Sequence, residues 1–129
     1  MQPKKILIVE DSMEIARMYE RAFRLNGFEV EMVHDGLDGL KALEGMQELP
    51  AAIVLDVVMP HMNGLDFILH VRANERYKAI PIAVLTNSFR KEDAQHFLSQ
   101  GADLYLVKIE TQSTEVVDKV KELIANNAR

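Results

Sequence analysis

The sequence predicts an α/β fold: a five-stranded parallel sheet covered by helices on both faces, built as five successive βα units. Two observations carry this. Five short apolar runs rich in β-branched residues alternate with segments whose apolar residues recur at helical spacing. No cysteine, long linker or repeat interrupts the alternation across 129 residues. Strict alternation requires right-handed crossovers, and each crossover helix must cover an apolar sheet face.

The strand-like runs are Ile6 to Val9, Val30 to Val33, Ala52 to Leu55, Ile82 to Leu85 and Leu104 to Val107, expected to be buried on both faces. The first helical stripe is Ile15, Met18, Tyr19, Ala22 and Phe23, ending at Gly27, a good residue just past a helix end. Leu37, Leu40 and Leu43 form the second, Leu65, Ile68 and Leu69 the third, and Ala94, Phe97 and Leu98 the fourth, before Gly101. The fifth is Val116, Val120, Leu123 and Ile124, with Ser113 or Thr114 expected as N-cap and Glu115 in the first turn. Residues 1–129 are therefore expected to form one domain.

Composition narrows the function. Twenty acidic against 15 basic residues give a net charge of -5, which disfavours nucleic acid or an anionic membrane as a direct partner. Without cysteine there is neither a disulfide scaffold nor a Cys-based zinc site. No apolar run approaches the roughly 20 residues of a membrane span, and Met1 to Lys5 leads straight into a strand, so a cytoplasmic protein without membrane insertion is expected.

In a doubly wound sheet, ligands collect beyond the carboxyl ends of the strands at the switch point. Glu10 and Asp11 follow the first run, Asp56 the third, Thr86 the fourth and Lys108 the fifth. In strand order 2-1-3-4-5 the first and third strands are neighbours, so three carboxylates meet beside one hydroxyl and one ammonium. Carboxylates about 4 Å apart repel by roughly 4 kcal/mol per pair at an effective dielectric of 20, more than one lysine cancels. A proton or a hard cation must neutralise the cluster, and an oxygen-only donor set suits Mg²⁺, with Mn²⁺ able to replace it. For Glu10 and Asp11 a plain alternative stays open: the acidic start of a helix, with Asp11 and Glu14 resembling a capping box. Asp56, set between Ile53–Leu55 and Val57–Met59, has less reason to be there structurally.

A carboxylate beside Mg²⁺ can attack an electrophilic phosphorus in line, so Asp56 is the expected nucleophile and would become an aspartyl phosphate. Lys108 would place its charge on one phosphoryl oxygen and Thr86 would donate a hydrogen bond to another. Taken singly, Lys108 also reads as an exposed strand-end lysine and Thr86 as a β-branched strand end.

These residues together resemble the receiver domain of response regulators, as in single-domain chemotaxis regulators. The resemblance rests on Ile6 to Asp11; on Asp56 with Met59, Pro60, Asn63 and Gly64; on Leu85 with Thr86; and on Tyr105 to Lys108. It covers the whole chain, and the spacings Asp56 to Thr86 and Thr86 to Lys108 agree as well. It implies the flavodoxin-like receiver architecture, and a histidine kinase or histidine phosphotransfer protein that phosphorylates Asp56. It implies Mg²⁺ held by Asp11, Asp56 and the backbone carbonyl of Val58, with Glu10 acting through a water. Thr86 and Tyr105 would be a switch pair, signalling to a downstream effector protein through the last two helices and the strand between them. Tyr105 also reads as a half-buried strand aromatic with a wet hydroxyl. Such a protein phosphorylates itself from a donor and dephosphorylates itself, but is not a substrate-turnover enzyme; a phosphorylation-dependent dimer is left open.

Three positions depart from the family pattern. Ile109 stands where a cis proline usually follows the lysine; a cis bond without proline costs about 3 kcal/mol, so a trans bond and an altered loop are expected. Val58 offers no polar group to order an attacking water, which predicts slow self-dephosphorylation. Asn63 replaces a frequent aspartate and suits a turn before Gly64 equally well. His34, His61, His70 and His96 are expected at the surface, and the methionines at 13, 18, 32 and 46 mostly in the core, with Met59 and Met62 near the site. Rival functions are a flavodoxin-like electron carrier, disfavoured by acids where a flavin phosphate would sit, and a haloacid-dehalogenase-like phosphatase, disfavoured by Val58 where a second aspartate is needed. A receiver-like interaction module that is never phosphorylated is the third.

Overall fold

The computed structural model describes residues 3–57, 63–88, 90–108 and 112–127. Five strands and five helices alternate: β1 (Lys5–Val9), α1 (Met13–Leu25), β2 (Glu29–Val33), α2 (Gly36–Gly45), β3 (Ala52–Asp56), α3 (Gly64–Ala73), β4 (Ile82–Thr86), α4 (Lys91–Ser99), β5 (Leu104–Val107) and α5 (Ser113–Asn127). All four strand pairings are parallel and the order is β2-β1-β3-β4-β5, as expected.

Alternation along the strands sorts the core into two layers. Ile6, Ile8, Ala52, Val54, Ala83 and Leu85 face α1 and α5, where Tyr19, Phe23, Val116 and Val120 meet them. Leu7, Val9, Ile53, Leu55, Ile82 and Val84 point the other way, against Leu43, Phe67, Ile68 and Val71 of α2 and α3. Burial on both faces holds for β3 and β4 throughout and for Ile6 to Val9 of β1, but not for β2 and β5. Those two are the sheet edges, and the glutamates 29 and 31 on β2 suit an edge strand that must resist further pairing.

The helical stripes are right in period but rotated in detail. Met18, Leu37, Leu69 and Leu98 are exposed, while Ala16, Gly36, Gly39, Phe67 and Val71 take inward positions. Small residues let α2 lie close, at Gly39, to the Phe67 ring, and a pattern of large apolar residues does not register them. Met13 and Met18 are likewise exposed rather than core, whereas Met46 is buried. His34, His70 and His96 are at the surface; His61, Met59 and Met62 lie outside the described residues.

The helix ends are chemically specified. Ser12, not Asp11, caps α1, accepting from the Ile15 N–H. Past its other end Gly27 has φ +86°, and the Phe28 and Gly27 N–H groups return to the Phe23 and Arg24 carbonyls, a Schellman closure sealed by the edge-on contact of Phe23 with Phe28. Asp35 caps α2 and Asn63 caps α3. The start of α5 differs from expectation: Ser113 is already helical, and the Gln112 carbonyl accepts the first helical bond from Val116, which places the cap at Gln112. Among the described residues, no helix is long and apolar enough to cross a membrane.

Candidate functional site

The carboxyl ends of β1, β3, β4 and β5 open onto one cleft of about 420 Å³, lined by Glu10, Asp11, Ser12, Ile15, Asp56, Thr86, Asn87, Ser88 and Lys108. The topology dictates this convergence: β1 and β3 are adjacent with Val9 opposite Leu55, so the acids that follow them emerge side by side. One carboxylate oxygen each of Glu10, Asp11 and Asp56 lies within 4.8 Å of the others. Glu10 and Asp56 are buried, and Asp11 is exposed at the mouth.

Because Ser12 is the cap of α1, Asp11 is released from helix capping and its carboxylate joins the cluster. Glu10 is anchored at both ends: its N–H donates to the Val33 carbonyl of β2, and its Oε2 accepts from the Ser12 N–H at 3.1 Å. Lys108 reaches in from the end of β5, its Nζ 2.8 Å from Glu10 Oε1 and 3.4 Å from Asp56 Oδ1. It is an interior ion-pair partner, not an exposed strand-end lysine.

Electrostatics follow from burial. Desolvation pushes the Glu10 carboxyl up to about 7, with Asp56 adding repulsion, against the opposing hydrogen bonds of Lys108 and Ser12. At Lys108 burial disfavours the charge, but the bond to Glu10 and the field of Asp56 outweigh it and hold the ammonium above its ordinary pKa. Burial also raises the phenol of Tyr19, which sits within the field of the same three groups. At an effective dielectric of 20, two carboxylates 4.8 Å apart repel by about 3.5 kcal/mol. Three acids against one lysine leave negative charge in excess, and a set of oxygen donors at this spacing fits a hard divalent cation.

Thr86 ends β4, buried at the cleft, with its Oγ1 accepting from the Ser88 N–H at 3.2 Å. Tyr105 on β5 is half-buried as expected, and its hydroxyl donates to the Ser88 carbonyl at 3.3 Å. Val58, Met59, Pro60 and Ile109 lie outside the described residues, so the Val58 carbonyl and the bond after Lys108 are not placed. The chain beyond Asp56 is nonetheless held at its far side, where Gly64 N–H donates to the Val57 carbonyl at 3.0 Å. A Cβ at Gly64 would stand 2.5 Å from Val57 Cα, so no larger residue fits this closure. The sequence does not mark Ser88 or Ser12; a serine two or three residues past a strand end carries no distinguishing pattern before the loop geometry is known.

Comparison with known proteins agrees with the geometry. The family model described as the response regulator receiver domain matches residues 6–121. The transcriptional regulatory protein PrrA of Mycobacterium tuberculosis is 35% identical over 120 residues, covering 93% of this chain and 49% of that protein. The response regulator ArlR of Staphylococcus saprophyticus is 37% identical over 105 residues, covering 81% and 45%. This chain thus spans about half the length of these curated relatives. Among solved structures, the chemotaxis response regulator CheY4 of Vibrio cholerae superposes with a TM-score of 0.86 at 30% identity, covering 94% of this chain and 98% of that one. The receiver domain of the sensor histidine kinase PA1611 from Pseudomonas aeruginosa, which has a magnesium ion coordinated in its active site cleft, gives 0.84 at 27%, covering 95% and 98%. With its family match, its strand order and its acid-lined cleft, this chain belongs to the response regulator receiver domains of two-component signalling.

Proposed function

We propose that Asp56 is the phospho-acceptor of a Mg²⁺-dependent receiver, taking a phosphoryl group from a histidine kinase or histidine phosphotransfer protein and signalling to an effector protein. The observation that carries this is the convergence of Glu10, Asp11 and Asp56 oxygens within 4.8 Å of one another, with Lys108 on Asp56, in an open cleft. An Asp56 oxygen forms the new bond to phosphorus as the bond to the donor histidine nitrogen breaks, and the electron pair leaves with the imidazole. Asp11, Asp56 and the Val58 carbonyl would hold the cation, and Glu10 would hold it through a water. Magnesium, or manganese in its place, supplies positive charge that offsets repulsion between the carboxylate and the phosphoryl oxygens.

Lys108 is already within reach of Asp56, so it meets the incoming phosphoryl oxygens without rearranging. Thr86 has its hydroxyl proton free to donate, because its oxygen is the acceptor in the bond from Ser88. Turning that hydroxyl toward Asp56 breaks the bond to Ser88, and Tyr105 is bonded to the same residue, so the two would act as a switch pair reaching α4, β5 and α5. In this role residues 1–129 act as one cytoplasmic domain that modifies itself and turns over no separate substrate.

The test is intact-mass measurement after incubation with acetyl phosphate and Mg²⁺. One added phosphoryl group on the wild type, none on Asp56→Asn and none after chelation is the expected result. A wild type that gains no mass would leave a receiver-like interaction module that phosphorylation does not switch.

A further inference from the structure

Helix α4 is attached unequally at its two ends. None of its residues is fully buried; Asp93, Ala94 and Phe97 form a half-buried inner face. Its C-terminal end is locked. Gly101, at φ +122°, and Ala102 return their N–H groups to the Leu98 and Phe97 carbonyls in a Schellman closure. Arg72 of α3 donates to the Gly101 carbonyl at 2.9 Å and to Asp103 at 2.9 Å, and Asp103 also accepts from the Ile82 N–H at 2.8 Å.

The N-terminal end is held differently. Its cap residue, Arg90, makes no side-chain capping bond. Instead the Ser88 hydroxyl donates to the Asp93 carboxylate in the first turn and accepts from the Arg90 N–H at 3.3 Å. Ser88 is also the residue whose N–H donates to Thr86 and whose carbonyl accepts from Tyr105. One residue therefore bonds at once to the two switch residues and to the first turn of α4.

We propose that Ser88 and Asp93 form a latch that holds the N-terminal end of α4 in the unphosphorylated arrangement, with the Arg72-clamped C-terminal end as the pivot. The proposal rests on Asp56 being the phospho-acceptor. When the Thr86 hydroxyl turns toward the phosphoryl group, the Ser88 N–H loses its acceptor, the Ser88 backbone shifts, and its hydroxyl leaves Asp93. Helix α4 then swings about Gly101 rather than sliding. By linkage, opening the latch by mutation must favour phosphoryl binding by the factor with which phosphoryl binding opens the latch.

The experiment measures binding of beryllofluoride, a phosphoryl mimic, with Mg²⁺ to the full chain by fluorine NMR, alongside amide hydrogen exchange. Asp93 lies outside the cleft, so Asp93→Ala is the deciding variant. It is expected to bind beryllofluoride roughly tenfold more tightly than wild type. Asp93→Asn keeps an oxygen for the Ser88 hydroxyl and is expected to stay within about threefold of wild type. Ser88→Ala combined with Asp93→Ala should add little to Asp93→Ala alone. Exchange in Asp93→Ala should quicken in the first turn of α4 and stay unchanged at Gly101 and Ala102.

If Asp93→Ala loses thermal stability but binds the mimic as wild type does, the contact is structural only and the latch is overturned. Equal gains in Asp93→Ala and Asp93→Asn would also overturn it, since they report loss of a charge at a helix N-terminus. If wild type binds no mimic, the phospho-acceptor assignment falls and takes the latch with it. Binding by wild type that is abolished in Asp56→Asn keeps that assignment intact whatever Asp93→Ala does.

Discussion

Replacing Lys108 by methionine keeps an unbranched side chain, one heavy atom shorter, and removes its charge, which isolates what the ammonium does in the cleft. At an effective dielectric of 20, its attraction to Glu10 at 2.8 Å is about 6 kcal/mol and to Asp56 at 3.4 Å about 5 kcal/mol. Most of that is offset by the desolvation of all three groups, and breaking a buried pair by removing one partner costs about 3–5 kcal/mol net. A proton limits the loss. Glu10 already sits near 7 through burial, and without the hydrogen bond from Lys108 it rises further. Its unfolded value is 4.5, so above that pH the folded state holds a proton that the unfolded chain has released. Stability of the variant therefore falls as pH rises from 4.5 through the folded pKa. Wild type shares that loss up to about pH 7, so the cost of Lys108→Met should change little with pH below 7 and grow above it, where the wild-type Glu10 is ionised and the variant's still holds its proton, lowering the melting temperature by roughly 10–20 °C in a chain of this length. The same change leaves more negative charge for a divalent cation, which should bind roughly tenfold more tightly than in wild type. Scanning calorimetry at several pH values, with and without Mg²⁺, reads both effects. A pH-independent loss, or a smaller Mg²⁺ stabilisation in the variant than in wild type, would refute the electrostatic account of the cleft.

Three further outcomes are expected. Arg72→Ala leaves the carbonyls of Gly101, Lys78 and Ile80 without their donor at 2.7–3.0 Å and should cost about 3 kcal/mol in urea unfolding, with Arg72→Lys recovering less than half because an ammonium cannot fork to all of them. Gly64→Ala drives a Cβ into the backbone at Val57 and should cost about 2–3 kcal/mol, while slowing acetyl-phosphate labelling because the connection after Asp56 must shift; a variant of wild-type stability and labelling rate would disprove the close approach. Val58 presents no polar group to an attacking water, so phosphorylated protein freed of donor should decay slowly, and a lifetime of only seconds by mass spectrometry would contradict this.

Much of this architecture is legible from residue order because the physics behind it is local. Runs such as Ile53 to Leu55 need burial on both faces, and alternation with helices forces a parallel sheet whose strand ends converge. For that reason residue order alone brings Glu10, Asp11, Asp56, Thr86 and Lys108 to one edge of the sheet. What escaped depends on neighbours distant in sequence. Val30, Met32 and Val33 look like any core strand until the order places β2 at an edge, although Glu29 and Glu31 are the sign of it. Leu37 and Leu69 lie on an apolar stripe, yet glycines and Phe67 take the inward positions once α2 closes on α3. Arg72 reads as a surface cation, and only the fold brings four acceptors around it. Ser88 and Asp93 look like ordinary polar residues near a helix start, and residue order alone does not reveal that they pair.

The cleft and the fold are therefore one energetic system. Sheet closure brings three acids together and buries Glu10 among them, and that burial first, with the charge of Asp56 adding to it, raises the Glu10 carboxyl against the bonds from Lys108 and Ser12. Whatever adds positive charge there is registered as stability of the whole domain, by mass action on the folded state. If Asp56 takes a phosphoryl group as proposed, that group would draw on the same Lys108 and on the Thr86 hydroxyl that is bonded to Ser88. Charge at the strand ends and the contacts of Ser88 would then change together. In the proposed function, that coupling, more than any single contact, is what would make a buried acidic cluster usable as a signalling element.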